Sequence, residues 1–147
     1  MGTHVVKSTL VLVFVAAAVF ATGCGSSSSP SAPSGQTNTV TFSTQIQQQI
    51  LNPACVACHT DEGRTPSSGL NLKTGVSIAN LVNIASVGKA GAVRVIPGNP
   101  SGSYLIQKLE GAADIVGLRM PRNGPPYLTT EQIALIRQWI QNGAPNN

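Results

Sequence analysis

The clearest chemistry in this 147-residue chain belongs to five consecutive residues, Cys55-Val56-Ala57-Cys58-His59. Two thiols at this spacing, followed directly by an imidazole, are what covalent attachment of a c-type haem requires. The sulfurs of Cys55 and Cys58 can bond to the two vinyl groups of the porphyrin, and His59 can bind the iron as its proximal ligand. The motif therefore predicts one covalently attached haem c.

Three other uses of these residues are possible. A thioredoxin-like dithiol needs its cysteines in a βαβ pattern, which this chain does not offer. A structural zinc site needs four ligands, and only Cys24 and weakly ligating carboxylates could complete Cys55, Cys58 and His59. A simple disulfide between Cys55 and Cys58 would leave His59 without a role. We favour haem over all three.

The N-terminus has the layout of an export signal, predicted over residues 1–23. Leu10–Ala21 is an unbroken apolar run preceded by Lys7. The run is shorter than the ~20 residues that a membrane-spanning helix needs. The sequence Ala21-Thr22-Gly23-Cys24 suits an ordinary signal-peptidase site, and it also resembles a bacterial lipoprotein box, although Ala21 stands where that pattern more often has Leu. Both place the cut before Cys24.

The number of cysteines in the chain favours lipidation of Cys24. With Cys55 and Cys58 committed to haem, Cys24 would be a leftover thiol in an oxidising compartment. Acyl chains on Cys24 would hold the protein on the periplasmic or cell-surface side of a membrane. Residues 24–39 are rich in serine, proline and glycine and are predicted to be a flexible tether. Residues 40–147 remain as one domain.

The remaining composition excludes one class of partner. Without Lys7 the formal charge falls from +4 to +3, and no cluster of lysines and arginines is dense enough for nucleic acid. An exported protein would rarely meet nucleic acid, so we exclude it as a partner.

Removal of the signal also limits the ligands available to iron. His59 becomes the only histidine and Met120 the only methionine, because His4 and Met1 are lost. A second histidine ligand is thereby excluded, which leaves Met120, a lysine, a tyrosine or an open sixth position. Pro121 biases Met120 towards an extended backbone, and further prolines stiffen the loop. We predict Met120 as the distal ligand, against the alternative that it fills a gap in the core.

Hydrophobic spacing predicts the helices that must position these residues. Phe42, Ile46 and Ile50 recur at helical spacing before the motif, with Ser43 or Thr44 as the candidate cap. In the middle of the chain the signal is weak, and it permits a helix from about Gly75 and a short extended piece at 93–96.

Two further helices are predicted nearer the C-terminus. Asn99 and Pro100 are predicted to begin one, which ends at Gly111. Thr129 and Gln132 form a capping-box pair at the start of the other, which ends near Gly143. The apolar face of this second helix consists of Ile133, Ile136, Trp139 and Ile140.

The order of these features resembles a small class I cytochrome c, and more closely the single-haem domains of the planctomycete type. The resemblance covers about residues 41–144 and rests on these segments: Pro97-Gly98-Asn99-Pro100, Ser103-Tyr104-Leu105, Arg119-Met120-Pro121, Gly124-Pro125-Pro126, Thr130-Glu131-Gln132-Ile133, Trp139-Ile140 and Asn142-Gly143-Ala144. It implies an all-α fold of about three to five short helices around one haem, with long irregular loops. It places the thioethers on Cys55 and Cys58 and the axial ligands on His59 and Met120.

A six-coordinate iron has no open site for substrate, so we expect a one-electron carrier and no enzyme activity. The alternative is a five-coordinate haem enzyme or a gas or redox sensor, in which Met120 is core packing. A third hypothesis is a redox-inert binding module in which the two thiols have only a structural role.

The expected partners are redox proteins that donate or accept the electron. The lysines expected near an exposed haem edge are Lys73, Lys89 and Lys108. The arginines that could pair with haem propionates are Arg94, Arg119 and Arg122.

Overall fold

Helices provide the regular structure of the described part of the chain. The computed structural model describes residues 39–61 and 67–147. Residues 1–38 lie outside this part, so the predicted signal peptide, the predicted lipidation site at Cys24 and nearly all of the predicted tether are not described. The described residues belong to one compact unit, Thr37–Asn147.

Five helices occur in the described residues, together with a short 3-10 turn at Ser67–Gly69. They are α1 (Phe42–Leu51), α2 (Asn52–Ala54), α3 (Ser77–Leu81), α4 (Tyr104–Glu110) and α5 (Thr130–Gln141). The described residues form no β-sheet and contain two isolated β-bridges, Val82 with Val95 and Ala85 with Val93. The predicted all-α class is confirmed for this part of the chain. None of its helices has the length and apolar character to cross a bilayer.

Helix α1 is wound as a π-helix, with the amide of Asn52 donating to the carbonyl oxygen of Gln47 five residues earlier. Its buried face contains the three predicted apolar residues and also Gln47 and Leu51. The predicted cap at Ser43 or Thr44 is wrong, because the helix already begins at Phe42. The amide of Phe42 donates to the side-chain Oδ1 of Asn147 at 2.7 Å, so the start of the helix is capped from the far end of the domain.

Helix α5 follows the prediction closely. The hydroxyl of Thr129 accepts the amide of Gln132 at 3.2 Å, and the side chain of Gln132 accepts the amide of Thr129 at 2.9 Å. Trp139 is fully buried and packs against Phe42 of α1, with ring centroids 4.9 Å apart. Its indole N–H donates to the carbonyl of Pro145 at 2.9 Å, which satisfies its one polar group. The pair α1 and α5 thus forms the centre of the core.

Helix α4 starts later than predicted. Asn99 Oδ1 accepts the amide of Gly102 at 2.9 Å, so it caps a turn before the helix and not the helix itself. The fully buried Ser103 occupies the true N-cap position, and its hydroxyl bonds to the amide of Ile96 and the carbonyl of Asn99. The predicted end at Gly111 is confirmed, since its φ of 73° is the left-handed conformation that favours glycine.

Candidate haem site

One cavity of about 410 Å³ is lined by all four residues that the sequence nominates for haem: Cys55, Cys58, His59 and Met120. Its walls are mainly apolar and include Leu70, Leu72, Leu81, Leu105 and Leu109. The volume lies within the range of about 300–1,000 Å³ that is common for ligand and cofactor pockets. The structure therefore brings together residues that are 61 positions apart in the chain, His59 and Met120.

A tight turn after α2 presents the motif to the cavity. The amide of Cys55 donates to the carbonyl of Leu51 at 2.9 Å, and the amide of His59 donates to the carbonyl of Cys55 at 3.0 Å. These bonds continue the helical winding through the motif. Cys55, Cys58 and His59 consequently reach the same cavity although they lie along one short segment.

The imidazole of His59 is oriented by a backbone carbonyl. Its Nδ1 lies 3.2 Å from the oxygen of Leu70. A carbonyl can only accept, so Nδ1 carries the proton and the lone pair of Nε2 is left for a metal. Burial is the main influence on the ring and lowers the pKa of His59, while the backbone contacts with Leu70 and Ser67 oppose this. The neutral form that can bind iron is therefore favoured.

Both thiols of the motif are free, with Cys55 half-buried and Cys58 exposed. Burial, followed by the neighbouring Cys58, raises the pKa of the Cys55 thiol to about 11. Reactive cysteines of dithiol oxidoreductases have lowered pKa values instead. The environment of Cys55 is thus the opposite of what an activated redox thiol needs.

Met120 is half-buried, lines the cavity and also packs against the hydrophobic core. Its amide donates to the carbonyl of Lys108 at 2.9 Å, which ties the loop to α4. The contact with the core is the feature that the core-packing alternative predicts. Its position on the cavity wall is the feature that the ligand hypothesis predicts.

The lysine and the tyrosine that line the cavity are both engaged in holding the neighbouring loop. The ammonium of Lys108 donates to the carbonyls of Val116 at 2.9 Å and Leu118 at 2.5 Å. The hydroxyl of Tyr104 accepts the amide of Val116 at 2.9 Å. Burial lowers the pKa of Lys108. This role was not predicted from the sequence, although Tyr104 and Lys108 lie four residues apart, on one face of α4.

The three candidate arginines differ in position. Arg94 is 7% exposed and lines the cavity, and its guanidinium donates to the carbonyls of Asn80 at 2.8 Å, Ser68 at 3.1 Å and Gly69 at 3.2 Å. Burial lowers its pKa. Arg122 also lines the cavity. Arg119 instead donates to the carbonyl of Leu109 at 2.7 Å and stacks on the ring of Tyr127 at 4.1 Å.

The candidate lysines also differ, because Lys89 bonds to Asp114 at 2.5 Å and Lys108 reaches the cavity wall. Within residues 39–61 and 67–147, no group of three or more His, Cys, Asp or Glu side chains is arranged to hold a metal ion. Comparison of the chain with protein-family models, with curated proteins and with solved structures found no match.

Proposed function

We propose that this protein is a mono-haem c-type electron carrier, with residues 40–147 forming a class I cytochrome c-like domain. The observation that carries the proposal is the convergence of Cys55, Cys58, His59 and Met120 on one mainly apolar cavity. The residues present fit the group, because two thiols, an available imidazole nitrogen and a thioether are the donors that haem c uses in a His-Met site. When bound, haem c supplies reversible one-electron chemistry.

Each residue of the cavity has a distinct task in this proposal. Cys55 and Cys58 would form the thioether bonds, and the neutral imidazole of His59 would bind iron through Nε2. Met120 would bind on the distal side and close the site to substrates. The leucine walls exclude water, which favours a lower charge in the site. Arg94 is the buried cation best placed to balance the propionates, because it already lies at the cavity wall.

The proposed carrier is also exported and attached to a membrane. The lipidation of Cys24, export by residues 1–23 and the tether over residues 24–39 rest on the sequence pattern alone. They would hold the carrier on the periplasmic or cell-surface side, where redox partner proteins donate and accept the electron.

A five-coordinate haem enzyme or sensor is the second candidate. The contact between Met120 and the hydrophobic core favours it, because a methionine engaged in packing would leave the iron open. The two candidates predict opposite behaviour towards carbon monoxide.

Carbon monoxide binding to the purified ferrous protein tests the choice. The carrier should bind little carbon monoxide, whereas Met120→Ala should bind it promptly and stoichiometrically with the haem still attached. Leu118→Ala is the matched control, because Leu118 lines the same cavity from the same loop but is 60% exposed and has no ligating atom.

Two other outcomes of this test would contradict one or both candidates. Prompt stoichiometric binding by the wild type would overturn the carrier and support the open-site candidate. Expression with a functional maturation system that yields no covalent haem would overturn both.

A further inference from the structure

A buried polar group lies beneath the haem motif, where apolar side chains would pack more simply. Gln47 of α1 and Ser77 of α3 are each 2% exposed. Burying an amide is costly unless its hydrogen bonds are made. A buried amide among the isoleucines of a core helix therefore needs a reason for being there.

The hydrogen bonds of Gln47 are complete. Its Nε2 donates to Asn52 Oδ1 at 2.7 Å and to the carbonyl oxygen of Leu72 at 2.9 Å. Because the carbonyl of Leu72 can only accept, the placement of the amide nitrogen is fixed by its partner. The hydroxyl of Ser77 donates to Gln47 Oε1. We name these three side chains, Gln47, Asn52 and Ser77, the Gln47 network.

The Gln47 network ends on the segment that orients His59. The amide of Leu72 donates to the carbonyl of His59 at 2.8 Å, and the carbonyl of Leu70 lies 3.2 Å from His59 Nδ1. Residues 70–72 thus make two hydrogen bonds with His59 and accept a third from the side chain of Gln47. Two hydrogen bonds, joined by the backbone of residues 70–72, therefore link the buried face of α1 to the imidazole.

We propose that Gln47 is a positioning residue for the haem iron, which acts by fixing residues 70–72 so that the carbonyl of Leu70 holds the His59 imidazole in one tautomer and one orientation. This inference rests on the proposed function, because it assigns Gln47 a task only if His59 binds iron. The hydrogen bond at Nδ1 increases the basicity of the ligating nitrogen. Loss of Gln47 should therefore weaken the bond between iron and His59 without breaking either thioether.

The test compares Gln47→Leu with Gln48→Leu, both made in a Met120→Ala background. In that background His59 is the protein ligand of the ferrous iron, and the iron–histidine stretching band is measured by resonance Raman spectroscopy. Gln48 lies on the exposed face of the same helix, so it is the matched control. Gln47→Leu should shift the band to lower frequency and broaden it, whereas Gln48→Leu should leave it unchanged.

Hydrogen exchange at the Leu72 amide provides a second readout that does not need haem. The Leu72 amide donates to the carbonyl of His59, while Gln47 donates to the Leu72 carbonyl. Loss of the bond from Gln47 should loosen this segment and accelerate exchange of the Leu72 amide about fivefold, which corresponds to the ~1 kcal/mol of one hydrogen bond. Ile136→Val lowers the stability of the core without touching the network. It should accelerate exchange at Leu72 through global unfolding but leave the iron–histidine band unchanged. A purely structural Gln47 would accelerate exchange but leave the iron–histidine band in place, and that result would overturn the proposal.

Further variants keep the test decisive if Gln47→Leu does not fold. Ser77→Ala and Asn52→Ala each remove one partner of Gln47 but leave its bond to Leu72. Each should shift the band in the same direction by a smaller amount, and an unchanged band in both would overturn the proposal. Failure of the proposed function is distinguishable, since it appears as the absence of covalent haem, whatever happens at Leu72.

Discussion

The two sides of the cavity are held by different kinds of interaction. The motif side, residues 55–59 with residues 70–72, is fixed by backbone hydrogen bonds and by the buried Gln47 network. The loop side, residues 116–120, is held to α4 by hydrogen bonds with the side chains of Lys108 and Tyr104. Its residues Val116 and Leu118 are exposed to solvent. Segments with few buried contacts open at lower free energy than the core. We therefore expect the loop side to open locally while the motif side unfolds only with the whole domain.

The largest expected effect is on the core beneath the motif side. Trp139→Ala should lower the free energy of unfolding by about 3–5 kcal/mol, because it removes a fully buried indole that packs on α1. Tyr127→Ala is the contrasting variant, since Tyr127 is 38% exposed and Arg119 stacks on its ring. It should cost about 0.5–1 kcal/mol.

Urea unfolding of the two variants measures this difference. Equal losses would contradict the view that the motif side depends on the α1–α5 core more than the loop side does.

The sequence predicted the elements whose signals are local. The capping box of α5 and the stop at Gly111 involve residues within one or two helical turns, and both are confirmed. The start of α1 was wrong because its cap, Asn147, lies 105 positions away. The start of α4 was wrong because Asn99 caps a separate turn, and the buried Ser103 begins the helix with its hydroxyl bonded back to Ile96 and Asn99.

The same rule explains which parts of the candidate site could be predicted. Cys55, Cys58 and His59 form one local motif, and Met120 was nominated by counting the methionines that remain after the predicted cleavage. The hydrogen bonds of Arg94, Lys108 and Gln47 go to backbone carbonyls 14, 8 and 25 residues away, and a carbonyl is present at every residue. Sequence patterns carry no signal for such partners, so these roles required the structure.

An intermediate effect is expected when the loop side is released from α4. Lys108→Met removes the bonds to the carbonyls of Val116 and Leu118 while keeping much of the apolar stem. Amide exchange at Val116 should accelerate about fivefold, for a loss of ~1 kcal/mol, with little change in global unfolding. Gln107→Met is the control, because Gln107 is next along α4 but donates to Ser101, away from the loop. Equal acceleration in both variants would contradict the assignment.

The smallest effect concerns an ion pair on the segment just before the loop side. Asp114 bonds to Lys89 at 2.5 Å, and this hydrogen bond, followed by the charge of Lys89, lowers the pKa of Asp114 below its ordinary 3.8. A lowered carboxyl pKa stabilises the folded state above pH 3.8, and this stabilisation is lost as the pH falls through the folded-state pKa. The side chain of Asp114 is 69% exposed, so salt should weaken the effect.

The protection of the Val116 amide, corrected for intrinsic exchange, should therefore decrease slightly as the pH falls below 3.8. Asp114→Asn should have the lower protection already at neutral pH and should lose this pH dependence. Glu110→Gln removes a different ion pair, the one with Arg137 between α4 and α5, and should keep the dependence at Val116. If Asp114→Asn retains the full dependence, the ion pair does not contribute to holding the loop side, and Lys108 and Tyr104 hold it without help from Lys89.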